Sequence, residues 1–153
     1  MEPRNLARAR LNFAHLEGTN LIEAHLEEAN LHGAHLQGAY LIGAHLEGAL
    51  LWHADLEGVY MDNAYLQDAN FHDAYLGSAS LYGANLAGAF LRDARLPGAN
   101  LSGANLEGAF LDYRTDIEAS QLVNAVNPLK AHLGSEMRGE LEALLAAEEK
   151  AGE

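Results

Sequence analysis

Near the start of the chain, side chains able to bind metal or move protons recur in step. His15, His25, His35 and His45 each precede a leucine, and Glu17, Glu27 and Glu47 follow three of those leucines. Imidazole and carboxylate groups can ligate a divalent cation or exchange a proton near neutral pH. Further on, His72, Ser78 and Ser80 offer a nucleophile and a base. There is no cysteine, which leaves out disulfides, thiolate zinc sites and a thiol nucleophile. What these groups can do depends on whether the elements that carry them bring them to one point.

Those elements are set by a strict beat. From Leu6 to Leu111 every fifth residue is leucine except Met61 and Phe71, giving 22 positions, and two places before them, from Ala9 to Ala109, 19 of 21 residues are alanine, with Thr19 and Val59 the exceptions. On an α-helix a five-residue step advances about 140° and smears the leucines around the cylinder. On a straight strand it would put successive leucines on opposite faces. The spacing therefore predicts short extended pieces, each followed by a two-residue turn, wound into a coil whose turns stack at about 4.8 Å around an apolar interior. Each coil buries its core only against its neighbours.

The unit, a small residue, a polar residue, Leu or Phe, then two variable residues ending often in Gly, resembles the pentapeptide-repeat family, and the likeness runs from Arg4 to Tyr113. The resemblance implies an all-β solenoid, a right-handed quadrilateral β-helix with four units per coil and about five and a half coils. Residues 1–113 are expected to form this body and residues 114–153 a C-terminal helical cap and tail. Sorted on that square, the outward chemistry separates into walls. Glu27, Glu47 and Glu107 fall on the wall of Leu26, Glu17 and Glu57 on the opposite wall of Leu36. His25 and His45 share the first of these and His15 and His35 the second, about 5 Å apart. Zinc requires three or four converging ligands, and a convex wall is not expected to converge them. No metal or cofactor is assigned, and binding through the histidine ladders is kept only as an alternative.

The other two walls are apolar. The wall of Leu41 carries Ile22, Tyr40, Ile42, Tyr60 and Tyr82; the wall of Leu31 carries Phe13, Leu50, Trp52, Phe90, Phe110 and Tyr113. Exposed apolar clusters mark contact surfaces, with Trp52 and Leu50 as the best anchor. The chain's own tail is expected to cover Phe90, Phe110 and Tyr113. At the corners, the Leu36 wall turns on small residues (Gly18, Gly38, Gly58, Ser78, Gly98) and the Leu31 wall on Phe13, Gly33, His53, Asp73 and Asp93, so the two walls are expected to turn differently.

After Leu111 the beat fails, with Asp116 at the next central position. Thr115 to Glu118 reads as a capping box for a short helix with Ile117, Leu122, Val123 and Val126 on its apolar side, ended by Asn127 and Pro128. A second helix is expected from about Ser135 to Lys150, with Met137, Leu141, Leu144 and Leu145 as a stripe that either folds back along the Phe90 and Phe110 wall or joins a second chain in a homodimer. Arg4, Arg8 and Arg10 in the first coil discourage end-to-end stacking.

The formal net charge of −13 argues against direct nucleic-acid or anionic-membrane contact. The opening MEPRNLARAR has no apolar core of a signal peptide, and no run is long enough to cross a bilayer, so a cytoplasmic protein is expected. A convex rod with a filled interior offers no catalytic cleft, no phosphate loop or dinucleotide fingerprint is present, and the function expected is a non-enzymatic scaffold for an unidentified protein partner. The resemblance implies an alternative. Quinolone-resistance members of the family are dimers that imitate a DNA duplex and bind type II topoisomerase (gyrase), and here Glu27, Glu28, Glu47, Asp68 and Glu107 would stand for phosphates. Against it, the body lacks the projecting loops of the plasmid-borne members.

Overall fold

The structure, a computed structural model, describes residues 3–112 and 114–152; Tyr113 lies outside them. From Asn5 onward each fifth residue forms a parallel bridge with the residue 20 further on: Asn5 with His25, Arg10 with Asn30, His15 with His35, Asn20 with Tyr40, and so to Phe90 with Phe110. A coil is therefore four pentads, and the molecule is a four-sided parallel solenoid. Its extended pieces are too short to be more than single bridges, because the turn takes two residues of every five. Only at the C-terminal end does pairing lengthen, where β1 (Phe110–Leu111) runs parallel to β2 (His132–Leu133).

One unit shows how the backbone is satisfied. Asn30 N–H donates to Ala9 O (2.9 Å), Leu31 N–H to Leu50 O (2.8 Å), Gly33 N–H to Trp52 O (3.0 Å) and Ala34 N–H to Leu31 O (3.0 Å), which closes the turn. The fifth donor, His32 N–H, goes to the side-chain oxygen of Asn30 at 3.1 Å. Asn20, Asp55, Asn70, Asn85, Asn100 and Asn105 do the same for the residue two places on. Polar residues before the leucine are thus Asx turns that pair a donor the solenoid leaves over. Asn30→Ala is expected to cost about 0.5–1.5 kcal/mol of stability, read as a lower urea midpoint with unchanged slope.

All four walls turn alike, which corrects the expectation that the Leu31 and Leu36 walls differ. At every corner from Arg8 to Gly108 the third residue after the bridge has positive φ, between 54° and 71°, whether it is Gly38 or His53. Left-handed backbone costs a non-glycine residue about 1–2 kcal/mol, and the corner is held there by its own N–H, as in His53 to His72 O at 3.0 Å. Coil stacking dictates the turn, and side chains adapt to it. Gly33 answers a second need, since a methyl group there would meet the Phe13 ring at 2.6 Å.

Inside, the leucine and alanine columns from Leu21 to Leu111 are buried, with Val59, Met61 and Phe71 filling the same places. Leu6, Leu11 and Leu16 in the first coil are partly buried. The hydrogen-bonded winding continues past residue 113, as Asp116 bridges Arg95 and Val126 bridges Asn105. Over this last, irregular coil lies α1 (Ala119–Leu122), with Leu122 fully buried and Ile117 buried beside it. Its capping box is Glu118 with Gln121, three residues later than expected. The Thr115 hydroxyl is already engaged, donating to Leu91 O at 2.9 Å in the body. Asn127 and Pro128 do not end α1; they open a separate 3₁₀ turn, Pro128–Lys130.

The tail helix α2 spans Ser135–Ala151. It packs across the end of the solenoid on α1 and the 3₁₀ turn, not along the Phe90 and Phe110 wall. Leu141 is fully buried there, Met137 and Leu145 partly, and Arg138 ties the helix down by donating to Leu129 O and Ala131 O at 3.0 and 3.1 Å. Among the described residues no helix is long and apolar enough to cross a membrane.

Candidate functional site

On the wall of Leu31 the turns of successive coils bring Phe13, His32, Trp52, His53 and His72 into one line. Trp52 packs its indole against His32 (centroids 4.4 Å) and lies near His53 (6.2 Å), and His32 Nδ1 donates to Trp52 O at 3.1 Å. Phe13 meets His32 edge to face at 5.0 Å. These contacts pack one side of Trp52, a residue still 39% exposed, next to exposed Leu50, with Phe13 60% exposed at one end. At the other end, Phe90 stacks on Phe110 and Phe110 on His132 (4.4 Å), so the tail covers one side of Phe110 while both phenyl rings stay exposed.

The opposite wall of Leu41 stacks Tyr40 on Tyr60 at 5.1 Å with rings 5° from parallel. Ile22 and Tyr82 are exposed on it and Ile42 is half-buried. The coil pitch imposes these ladders, because identical positions of neighbouring coils must sit one strand spacing apart.

On the charged walls the histidines stack as expected, His15 on His35 at 4.8 Å and His25 on His45 at 4.9 Å, and Tyr65 continues the second ladder at 4.4 Å. The acidic groups are largely engaged. Arg8 holds Glu28 with two hydrogen bonds (2.9 and 3.2 Å) and keeps its carboxyl below the ordinary range. Lys130 reaches Glu107 at 3.2 Å, and His25 and His45 lie at 2.8 and 3.3 Å from Glu27 and Glu47. At Glu27 burial pushes the carboxyl up, but the hydrogen bonds from His25 and the backbone outweigh it and the net shift is downward. Asp68 lies at an exposed corner of the same wall.

His72, Ser78 and Ser80 stand in three successive units on three different walls and are not brought together. His72 instead joins Asp73 (3.2 Å) and Asp93 (3.8 Å), and Asp93 is also approached by Arg92 and Arg114 (3.9 and 3.5 Å), a mixed network of acidic and basic groups. Sequence reasoning missed the ring partners His32 and His132 and the side chains that close the C-terminal end. Gln121 donates to both Leu96 O (2.8 Å) and Ala99 O (2.9 Å), standing in for a further strand. His32 sits on the beat like any residue that follows a central leucine, so only His132 and Gln121, which lie beyond the last unit, are marked in the sequence.

The family model for pentapeptide repeats, described as eight copies of the unit, matches three overlapping stretches of the chain, residues 5–41, 39–77 and 74–112. The chain belongs to the pentapeptide-repeat family. Among solved structures, a pentapeptide repeat protein from the thylakoid lumen of Arabidopsis thaliana is 27% identical, with 72% of this chain and 70% of that one covered and a TM-score of 0.52. HetL, a pentapeptide repeat protein involved in heterocyst differentiation regulation in the cyanobacterium Nostoc, is 35% identical over 85% of this chain and 63% of its own, with a TM-score of 0.42. QnrB1, a plasmid-mediated fluoroquinolone resistance protein, is 19% identical over 94% of this chain and 93% of its own, in a trypsin-treated form, at a TM-score of 0.36. Comparison with curated proteins finds no match.

Proposed function

We propose that this pentapeptide-repeat protein is a non-enzymatic scaffold that presents the wall of Leu31 to a protein partner, with Trp52 as the anchor. The observation that carries this reading is Trp52, exposed yet packed against His32 beside Leu50. Binding costs less when an aromatic side chain is ordered beforehand, and tryptophans in such settings dominate interface energies. Tyr40, Tyr60 and Ile42 on the opposite wall form a second, smaller contact surface. The filled interior supports a role outside catalysis, since acyl or phosphoryl transfer needs a recessed site.

The duplex-mimic alternative draws less support, because Glu27, Glu28, Glu47 and Glu107 each have a basic or imidazole partner within 3.3 Å. A homodimer through α2 would have to use Leu144, 39% exposed beside Ile117, Ala119 and Ala143, since Leu141 is spent on the chain's own cap. The test is affinity capture from the host cell with the full chain and with Trp52→Ala. A partner retained by the wild type and lost from the variant is expected; identical capture by both would overturn the assignment of this wall. Inhibition of gyrase supercoiling that survives Trp52→Ala but falls with Glu47→Gln would favour the mimic instead.

A further inference from the structure

The wall of Leu26 holds an arrangement that an interaction surface does not call for. Glu27, Glu47 and Gln67 occupy the same position in three successive coils. Each carboxylate has its Oε1 beside the histidine two residues earlier, His25 at 2.8 Å and His45 at 3.3 Å. The other oxygens, Glu27 Oε2 and Glu47 Oε2, are fully buried, and among the described residues no donor reaches either; Gln67 Oε1 is in the same condition on the next rung. A carboxylate oxygen removed from water without a donor is unfavourable, and two of them one coil apart also repel each other. Glu17 has the same pairing with His15 at 3.0 Å on the opposite wall but has no such buried oxygen.

One oxygen from each of Glu27 and Glu47 and an imidazole nitrogen of His45 lie within 4.8 Å of one another. A cation among them would give the two under-paired carboxylates a common partner and offset their repulsion. Metal–ligand bonds of about 2.0–2.2 Å require ligand atoms roughly 3–4 Å apart, and the two side chains, 34% and 35% exposed, have room to close that gap. The donor set selects the ion. Two carboxylates with an imidazole suit zinc and its late first-row neighbours, whereas Mg²⁺ and Ca²⁺ take oxygen ligands alone.

We propose that Glu27, Glu47 and His45 form a binding site for a divalent transition-metal ion, zinc foremost, with His25 orienting Glu27 and Gln67 Oε1 available from the adjacent rung. The ion joins two consecutive coils through side chains, so its binding stabilises the folded solenoid. This differs from ligation by stacked histidines alone, in which His15 and His35 would serve as well as His25 and His45.

The test is titration of the full chain with Zn²⁺ in a non-coordinating buffer by calorimetry, with the melting temperature followed in parallel and Co²⁺ as the spectroscopic probe. One equivalent bound, a raised melting temperature and a visible Co²⁺ band are expected, with Mg²⁺ giving none of these. Glu47→Gln and Glu27→Gln should each weaken binding by roughly tenfold or more, and Glu17→Gln should leave it unchanged. Each variant is melted with and without Zn²⁺ under circular dichroism; both should keep the metal-free fold and lose the metal-dependent rise. No heat at millimolar Zn²⁺, wild-type affinity in Glu47→Gln, loss in Glu17→Gln, or equal binding of Mg²⁺ would each overturn the site.

Discussion

Replacing Phe71 with alanine is expected to lower the free energy of unfolding by about 3–5 kcal/mol. Phe71 is wholly buried and takes the place of a leucine in the column between Leu51 and Leu91. In a globular core neighbouring side chains and helices shift to close such a hole. Here they cannot, because the backbone around it is fixed on both sides. Phe71 N–H donates to Phe90 O at 2.8 Å, Leu51 N–H to Asn70 O at 2.7 Å, and Ala74 N–H closes the turn on Phe71 O at 2.9 Å. Phe71→Leu should cost under about 1.5 kcal/mol, since leucine fills the equivalent place in almost every other unit. Urea unfolding followed by circular dichroism measures both. A solenoid is stabilised by interfaces between neighbouring coils, so the alanine variant is also expected to unfold over a broader range, as the two halves lose their coupling. A single sharp transition at the wild-type midpoint would show that the interior does not depend on this side chain.

Leu141→Asp is expected to detach α2 from the end of the solenoid, at a cost of roughly 3 kcal/mol or more to the cap. Leu141 is the one fully buried residue of the helix. A carboxylate there meets Leu122, Ile117 and the apolar end of the body with nothing to pair with. Arg138 would still reach Leu129 O and Ala131 O, but an isolated helix of 17 residues rich in glutamate holds little structure by itself. The measurable result is loss of the helical component of the circular dichroism spectrum with an unchanged hydrodynamic mass. A fall in mass would mean that the helix joins two chains; an unchanged spectrum and melting temperature would mean that Leu141 does not anchor it. Leu144→Asp, at the exposed edge of the same helix, should be close to neutral in both measurements.

Much of the body was legible because its cause is local. The five-residue beat forces the leucines inward as soon as a turn follows each extended piece, and the sorting of glutamates onto opposite walls follows once the coil length is known. The corners were misread from residue types, since His53, Asp73 and Phe13 look unlike Gly38. Backbone hydrogen bonds between coils impose one conformation on all of them, whatever the side chain. The C-terminal end was half legible. The boundary of α2 came out within a residue or so, whereas the capping box moved from Thr115 to Glu118 because Leu91 O competes for the Thr115 hydroxyl.

The sequence by itself determined a five-residue solenoid with an apolar interior, because a repeating unit carries its own geometry from one copy to the next; the content of each wall followed from the four-unit coil that the family resemblance implies. Only the tertiary structure decided which acidic groups are paired and which keep a buried oxygen, and where α2 lies. Arg8 and Glu28 are a coil apart, Lys130 and Glu107 further still, and the order of residues along the chain contains no distance across it.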